Sequence, residues 1–297
     1  MDNPSGVRVL PYFIVDVFTG QALQGNPLAV MMNTCGLTTE QMQAIAVEFN
    51  LSETTFVERR GPDAERREGV RVRIFTTQEE LPFAGHPTLG TASVLKLTAP
   101  ETVHDGVVML AENVGPIPVR FDGENLFAEM TQREPEFGTE LDRARAAELC
   151  GLSEEDLDPK VSPQVASTGT AFAIVLLKSV EALGRLRVRQ EESTAWLRSL
   201  GARWFYVLAP EGDGFRARMQ FNGGEDPATG SAAGCAVSYL VKHGVAPSGK
   251  RFLIRQGIEL GRPSELFVSA QRQDIRVVNV CVAGSTVLVA KGSLFLP

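Results

Sequence analysis

The chain has 297 residues, 43% of them hydrophobic and 22% charged, with a formal net charge of -7. That is enough for one large or two ordinary domains with a sizeable core. The acidic balance excludes the basic footprint that nucleic-acid binding needs.

In chain order, Val7 to Val17 reads as a β-strand, rich in β-branched and aromatic residues. Thr19-Gly20 and Gln24-Gly25-Asn26-Pro27 punctuate the chain before an apolar strand from Leu28 to Met32. Thr38 or Thr39 can cap a helix reaching Phe49, with Met42, Ile45, Ala46 and Phe49 at helical spacing. Strands follow at Thr54 to Val57 and Val70 to Phe75. The charge run from Glu58 to Glu68 mixes both signs and reads as a solvated turn. A small-residue helix is expected from Pro87 to Leu97, then strands at Val107 to Leu110 and Ile117 to Phe121. A second cycle starts with a strand at Leu126 to Met130 and a helix at Asp142 to Leu149. It continues with a strand at Ala171 to Leu177, a helix at Glu191 to Leu200 and strands at Arg203 to Leu208 and Phe215 to Phe221. A second small-residue helix spans Ala232 to His243, and strands run to the end. Strands outnumber helices without regular alternation, which predicts an α+β fold. The joint is expected near Asp122-Gly123-Glu124, giving halves 1–123 and 124–297, with a terminal strand free to cross over.

The two small-residue helices belong to a repeated motif. At a shift of 145 positions, Arg73, Glu80, Pro82, Gly85, Ser93 and Leu95 are identical to Arg218, Glu225, Pro227, Gly230, Ser238 and Leu240. Each copy runs strand, acidic-Pro-Gly turn, helix. Two such turns can face each other across a cleft lined by two helix N-termini, a setting suited to a carboxylate and to proton chemistry.

In the second turn, Asp226 can accept a proton or orient a substrate, and Ser231 adds a hydroxyl to the free N–H groups of the helix start. The alternative is a capped turn with Asp226 as an N-terminal charge. In the first turn, His86 takes the slot of Ser231. An imidazole at a helix N-terminus stays neutral more readily, and neutral imidazole can donate a hydrogen bond or pass a proton. Glu53, between a helix and an apolar strand, is either a surface residue or a general base whose pKa burial raises. Asp16 and Asn26-Pro27 are loop residues that either face the cleft or are structural.

Other chemistries lack their patterns. Gly230-Ser231-Ala232 is not a nucleophile elbow, and neither a G-x-G-x-x-G after a strand nor a Walker A sequence is present. Cys35, Cys150, Cys235 and Cys281 show no C-x-x-C spacing, which points away from a disulfide scaffold or zinc site. His86, His104 and His243 are too dispersed to suggest a metal cluster. The N-terminus lacks the order of a signal peptide, and no apolar run approaches the roughly 18 residues of a membrane span. A cytoplasmic protein without nucleic-acid or membrane partners is therefore expected.

Val15-Asp-Val-Phe-Thr-Gly20, Gly25-Asn-Pro-Leu-Ala-Val30, Asn50-Leu-Ser-Glu-Thr54, Phe83-Ala-Gly-His-Pro-Thr88 and Gly224-Glu-Asp-Pro-Ala-Thr-Gly-Ser-Ala232 together resemble the signatures of the phenazine-biosynthesis PhzF-like isomerases, in order and spacing. The resemblance covers nearly the whole chain. It implies a diaminopimelate-epimerase-like fold: two pseudo-symmetric halves, each a β-barrel-like sheet round a central helix, with the site between them. It also implies no cofactor and a homodimer, and proton transfer on a small carboxylate-bearing substrate, trans-2,3-dihydro-3-hydroxyanthranilate in the best-known member. Carried over by position, it makes Glu53 the acid/base, with His86 and Asp226 as its catalytic partners. Ser52, Ser231 and the backbone at Gly85 and Gly230 would bind substrate.

The related diaminopimelate epimerases use two cysteines, and the corresponding slots here are Ala84 and Thr229. Neither is a useful acid or base, which disfavours an amino-acid epimerase or racemase. A non-catalytic small-molecule-binding protein on the same scaffold is the remaining alternative.

Overall fold

A computed structural model describes residues 7–296. The chain groups into two compact units, Met1–Met130 with Ser285–Pro297, and Thr131–Gly284. The first unit contains β1 (Arg8–Val17), β2 (Asn26–Met31), α1 (Thr39–Phe49), β3 (Glu53–Glu58), α2 (Pro62–Glu68), β4 (Val70–Phe75), β5 (Glu80–Leu81), α3 (Gly85–Thr98), β6 (Val103–His104), β7 (Val107–Glu112), β8 (Gly115–Phe121) and β9 (Phe127–Thr131). Next come β10 (Glu136–Glu140), α4 (Arg143–Leu149), β11 (Gln164–Ser167), β12 (Ala171–Leu176), α5 (Val180–Gly184), α6 (Gln190–Ser199) and β13 (Trp204–Glu211). The chain ends with β14 (Gly214–Phe221), β15 (Gly224–Asp226), α7 (Gly230–Lys242), β16 (Phe252–Gln256), β17 (Ser264–Gln273) and β18 (Arg276–Leu296). The first unit extends to Met130, past 123, because β9 stays in register with β8, Val119 opposite Met130.

The two units repeat one pairing scheme. In the first, β1 lies antiparallel to β2, β2 parallel to β3, and β3 antiparallel to β4. β4 then pairs antiparallel with β5 and parallel with β7, and β7 antiparallel with β8. In the second, β11, β12, β13, β14, β15, β16 and β17 take those seven places with the same directions. In the first unit β9 pairs with β18, and β18 pairs antiparallel with β1 from Arg8 opposite Leu296 to Val17 opposite Thr286. The cycle β1-β2-β3-β4-β7-β8-β9-β18 thus closes an eight-stranded barrel, which leaves no open edge. The early part of β18 pairs with β17 instead.

Each repeat wraps a helix rich in small residues and buried on every face along most of its length. Every residue of α3 from Gly85 to Leu95 is buried, as is every residue of α7 from Gly230 to Val241. Such helices belong inside a core rather than on a surface. Ser93 and Ser238 satisfy their buried hydroxyls by donating to the carbonyls of Leu89 and Gly234, one turn back. Gly90 lets α3 sit close to its strands: a Cβ there would lie 2.6 Å from Leu28 Cδ2 and 2.9 Å from Val17 Cγ2.

α1 starts with a capping box, Thr38 with Gln41. The charge run expected as a turn instead forms α2. Pro62 stands at its first position, Asp63 and Glu65 in its first turn, and Arg66 and Arg67 in its last, all favourable to the helix dipole. No helix among the described residues is long and apolar enough to cross a membrane.

Candidate active site

In the first unit the site is assembled by strand pairing. β2 and β3 are parallel with Leu28 opposite Glu53, so the start of β3 lies beside the start of β2, where Asn26 and Pro27 stand. Asn26 opposes Val17, and Pro27 opposes Asp16 on β1. Gly25 enters β2 at φ 66, and a Cβ on it would collide with the Val17 carbonyl and the Thr19 side chain. Asp16 is buried and accepts a hydrogen bond from the Leu23 amide at 2.6 Å, which ties the intervening loop back onto the strand.

His86, the second residue of α3, is buried against this strand start. Its Nδ1 lies 3.2 Å from Asn26 Nδ2, and its Nε2 lies 3.4 Å from Glu53 Oε2. Burial lowers the imidazole pKa to about 3, against a smaller opposing effect of the Pro27 backbone. The ring is therefore neutral at physiological pH. Its approach to Glu53 is the contact of a carboxyl with a neutral imidazole rather than an ion pair. Ser52 is half-buried beside Glu53, and Gly85 opens the helix. No side chain caps this helix start, since the N-cap residue is Ala84.

Two residues further on, Thr88 Oγ1 lies 2.7 Å from the Ala84 carbonyl and 2.6 Å from Oε1 of Glu112, at the end of β7. Glu112 is buried, and desolvation raises its pKa to about 8 despite the Thr88 contact and the charge of Arg71.

In the second unit Asp226 ends β15 and is buried. Its Oδ2 accepts from Thr229 Oγ1 at 2.6 Å. Gln256, at the end of β16, holds this turn with both ends of its amide. Its Nε2 donates to the Asp226 carbonyl at 2.8 Å and to Thr229 Oγ1 at 3.0 Å. Its Oε1 accepts from the Thr229 amide at 3.1 Å and from the Tyr206 hydroxyl at 3.0 Å. Burial, with the nearby charge of Asp226, pushes the Tyr206 phenol up, so it stays a donor. Gly230 and Ser231 open α7, again with no side-chain cap, and Gln132 Nε2 donates to the Gly230 carbonyl at 3.0 Å. Cys235 is buried one turn in, and burial raises its thiol to about 11, which makes it an inert core residue.

Of the expected site residues, Glu53, His86 and Gly85 meet in the first unit with Ser52 beside them, and Asp226, Gly230 and Ser231 meet in the second. Sequence reasoning left Asn26 open and missed Glu112 and Gln256. Among the described residues, no cluster of His, Cys, Asp and Glu suits a metal ion.

Two units that repeat one scheme, each with an uncapped buried helix start, define an α+β protein with a carboxyl set against a neutral imidazole in its first unit. Comparison with known proteins gives the class. The model of the phenazine biosynthesis-like protein family, PhzC-PhzF, matches residues 15–292, and the chain belongs to that family. It is 37% identical to the trans-2,3-dihydro-3-hydroxyanthranilate isomerase of Pseudomonas aeruginosa, over 96% of this chain and 99% of that protein. It is 38% identical to an uncharacterized isomerase of Mesorhizobium japonicum, over 96% and 98% of the two chains. The solved structure of a predicted epimerase of Pseudomonas aeruginosa superposes with a TM-score of 0.82 at 36% identity, covering 96% of this chain and 99% of that one. The protein is an isomerase of the PhzF type, which sets aside a non-catalytic binding protein.

Proposed function

We propose that this isomerase moves a proton on a small carboxylate-bearing substrate without a cofactor, the substrate being trans-2,3-dihydro-3-hydroxyanthranilate or a closely related compound. Glu53 is the general acid/base. The observation that carries this reading is the 3.4 Å approach of Glu53 Oε2 to Nε2 of a buried, neutral His86. Glu53 takes an acidic C–H proton, and the electron pair of that bond enters the conjugated skeleton. Glu53 then returns the proton to another carbon, so the reaction needs no oxidant or co-reactant. His86, held at Nδ1 by Asn26 and neutral, keeps the Glu53 carboxyl oriented. The uncapped N-terminus of α3, with Gly85, and that of α7, with Gly230 and Ser231, stabilise negative charge on the carboxylate or enolate. Asp226, oriented by Thr229, binds the polar end of the substrate, and Ser52 lies beside the base.

The likeness to the trans-2,3-dihydro-3-hydroxyanthranilate isomerase of Pseudomonas aeruginosa supports the choice of substrate. An epimerase working through paired acid/base groups at the helix caps is the weaker reading, because Ala84 has no proton to give and the Thr229 hydroxyl donates to Asp226. The homodimer and the cytoplasmic setting implied by the resemblance belong to the same proposal, and light scattering of the purified chain tests the dimer.

Proton NMR in D₂O with trans-2,3-dihydro-3-hydroxyanthranilate tests the reaction. We expect double-bond migration with deuterium incorporation, and a loss of roughly 10²–10⁴-fold in Glu53→Gln, the usual contribution of a general acid/base. Full turnover in Glu53→Gln would remove the assigned base. An inert wild type would remove the named substrate.

A further inference from the structure

Glu112 is a buried carboxyl group that the reaction above does not use. Its contact with Thr88 poses a question of proton count. Three oxygens lie in a row: the Ala84 carbonyl, Thr88 Oγ1 and Glu112 Oε1, separated by 2.7 and 2.6 Å. Both distances are those of well-formed O–H···O hydrogen bonds, each of which wants its own proton. Thr88 supplies one proton, and the Ala84 carbonyl supplies none. The second must sit on Glu112.

The internal repeat points the same way. Ala111 pairs with Arg71 at the end of β7, and Arg255 pairs with Arg216 at the end of β16. The next residues, Glu112 and Gln256, are therefore structural counterparts. Gln256 is a neutral amide whose Nε2 donates to a threonine hydroxyl at the start of α7. A protonated Glu112 is the same shape, also neutral, and donates to a threonine hydroxyl in the first turn of α3.

We propose that Glu112 is held as a neutral carboxylic acid that donates to Thr88 Oγ1, that Thr88 in turn donates to the Ala84 carbonyl, and that this relay pins the turn on which His86 stands. Glu112 is a positioning residue. Loss of its proton at alkaline pH leaves one proton for two contacts and loosens the turn. The charged group acting on Glu112 is Arg71 on β4, which donates to the Ala111 carbonyl and to Asn113 Oδ1 and stands 4.0 Å from Glu58. Asn113 also reaches Glu80 on β5, itself clamped by Arg73. From α3, the neutral His86 adds no charge.

The sign of the pH dependence follows. The folded pKa of Glu112, about 8, lies above the ordinary 4.5, so the folded state binds a proton that the unfolded state gives up. The stabilising effect of the protonated group is complete below 4.5 and is lost as pH rises through about 8. Glu112→Gln has no such loss.

The test is thermal unfolding of the wild type and Glu112→Gln across this range, with NMR on the folded wild type. We expect the melting temperature of Glu112→Gln to match or exceed the wild type near pH 4 and to gain on it steadily up to about pH 8. In protein carrying ¹³C-labelled glutamate carboxyls, the resonance absent from Glu112→Gln should titrate well above 4.5, and the His86 imidazole signals should shift with the same midpoint in the wild type alone. A Glu112→Gln deficit that widens as pH rises, a Glu112 resonance titrating near 4.5, or His86 signals indifferent to Glu112 would each overturn the proposal. None of these readouts needs a substrate, so failure of the proposed reaction is a separate outcome.

Discussion

Arg218 grips Glu225 with two parallel hydrogen bonds, Nε to Oε1 at 2.8 Å and Nη2 to Oε2 at 2.6 Å. Arg73 grips Glu80 with the same atoms at the same two distances. Each fork joins β4 or β14 to the short strand that leads into the buried helix. The sequence identity between the two motifs is thus the preservation of one mechanical part: a bidentate clamp that fixes the turn ahead of the helix start.

The two clamps differ in burial, and their stability effects should differ with it. The Arg218 and Glu225 side chains are 6% and 9% exposed, those of Arg73 and Glu80 16% and 22%. Removing one partner of a buried pair strands the other charge. Glu225→Gln should cost about 3–5 kcal/mol, measured by urea unfolding. Glu80→Gln should cost about 1 kcal/mol, nearer the value of a surface pair. Equal costs would show that burial does not decide the matter.

His86 should stay neutral in solution. With a folded pKa of about 3 against an ordinary 6.5, its contribution to stability is present above 6.5 and fades as pH falls toward 3. In Glu112→Gln, where no neighbouring carboxyl titrates, its imidazole NMR signals should therefore stay constant between about pH 5 and pH 8. His86→Asn, smaller and never charged, should flatten the acid limb of the stability profile while lowering turnover at least tenfold. A titration near 6.5 would mean that the ring is wetter than its burial implies.

Thr229→Val keeps the shape and removes the hydroxyl that Asp226 accepts from and Gln256 donates to. Two buried polar groups lose a partner, at about 1–3 kcal/mol each. We expect a clear drop in the denaturation midpoint and a lower kcat with the protein still folded. An unchanged kcat would detach the orientation of Asp226 from the reaction.

Gly90→Ala should destabilise by about 1–3 kcal/mol, because its new methyl meets Leu28 and Val17 in a close-packed core. Gly184→Ala, where a Cβ meets nothing within 4 Å, should be neutral or stabilising by a few tenths of a kcal/mol. Circular dichroism melts of the two variants make the comparison.

Much of this fold is legible in the sequence. The positions shared at a fixed shift marked the clamps, the turns and the two buried serines, because those residues are chosen by local geometry that both halves need. The β4 strand matched its expected span residue for residue, with alternating burial that one-dimensional periodicity captures. The meeting of Glu53 with His86 was not readable from the residues alone, because it depends on a parallel β2–β3 pairing whose register no local pattern encodes. Asn26 read as a loop residue since it sits between Gly25 and Pro27, yet it begins β2 and faces His86. Glu112 did leave a signal. The alternation that buries Val108 and Leu110 puts residue 112 on the same side, and a carboxyl at a core-facing position of a strand asks for an explanation. The mixed charges of the α2 run suggest a solvated turn, whereas their order along the segment, acids first and arginines last, is that of a short helix.

The pairing of β18 with β1 has a consequence for how the molecule is made. The second unit is a continuous stretch of chain, while the barrel of the first lacks one stave until Thr286 to Leu296 have been synthesised. Of the two units, the one whose strands are made earlier is therefore the last that can close. Until then β1 waits with an exposed edge, open to mispairing. A stop codon placed just after residue 284 would leave the later unit with all of its own strands and deprive the earlier one, with Glu53 and His86, of its closure.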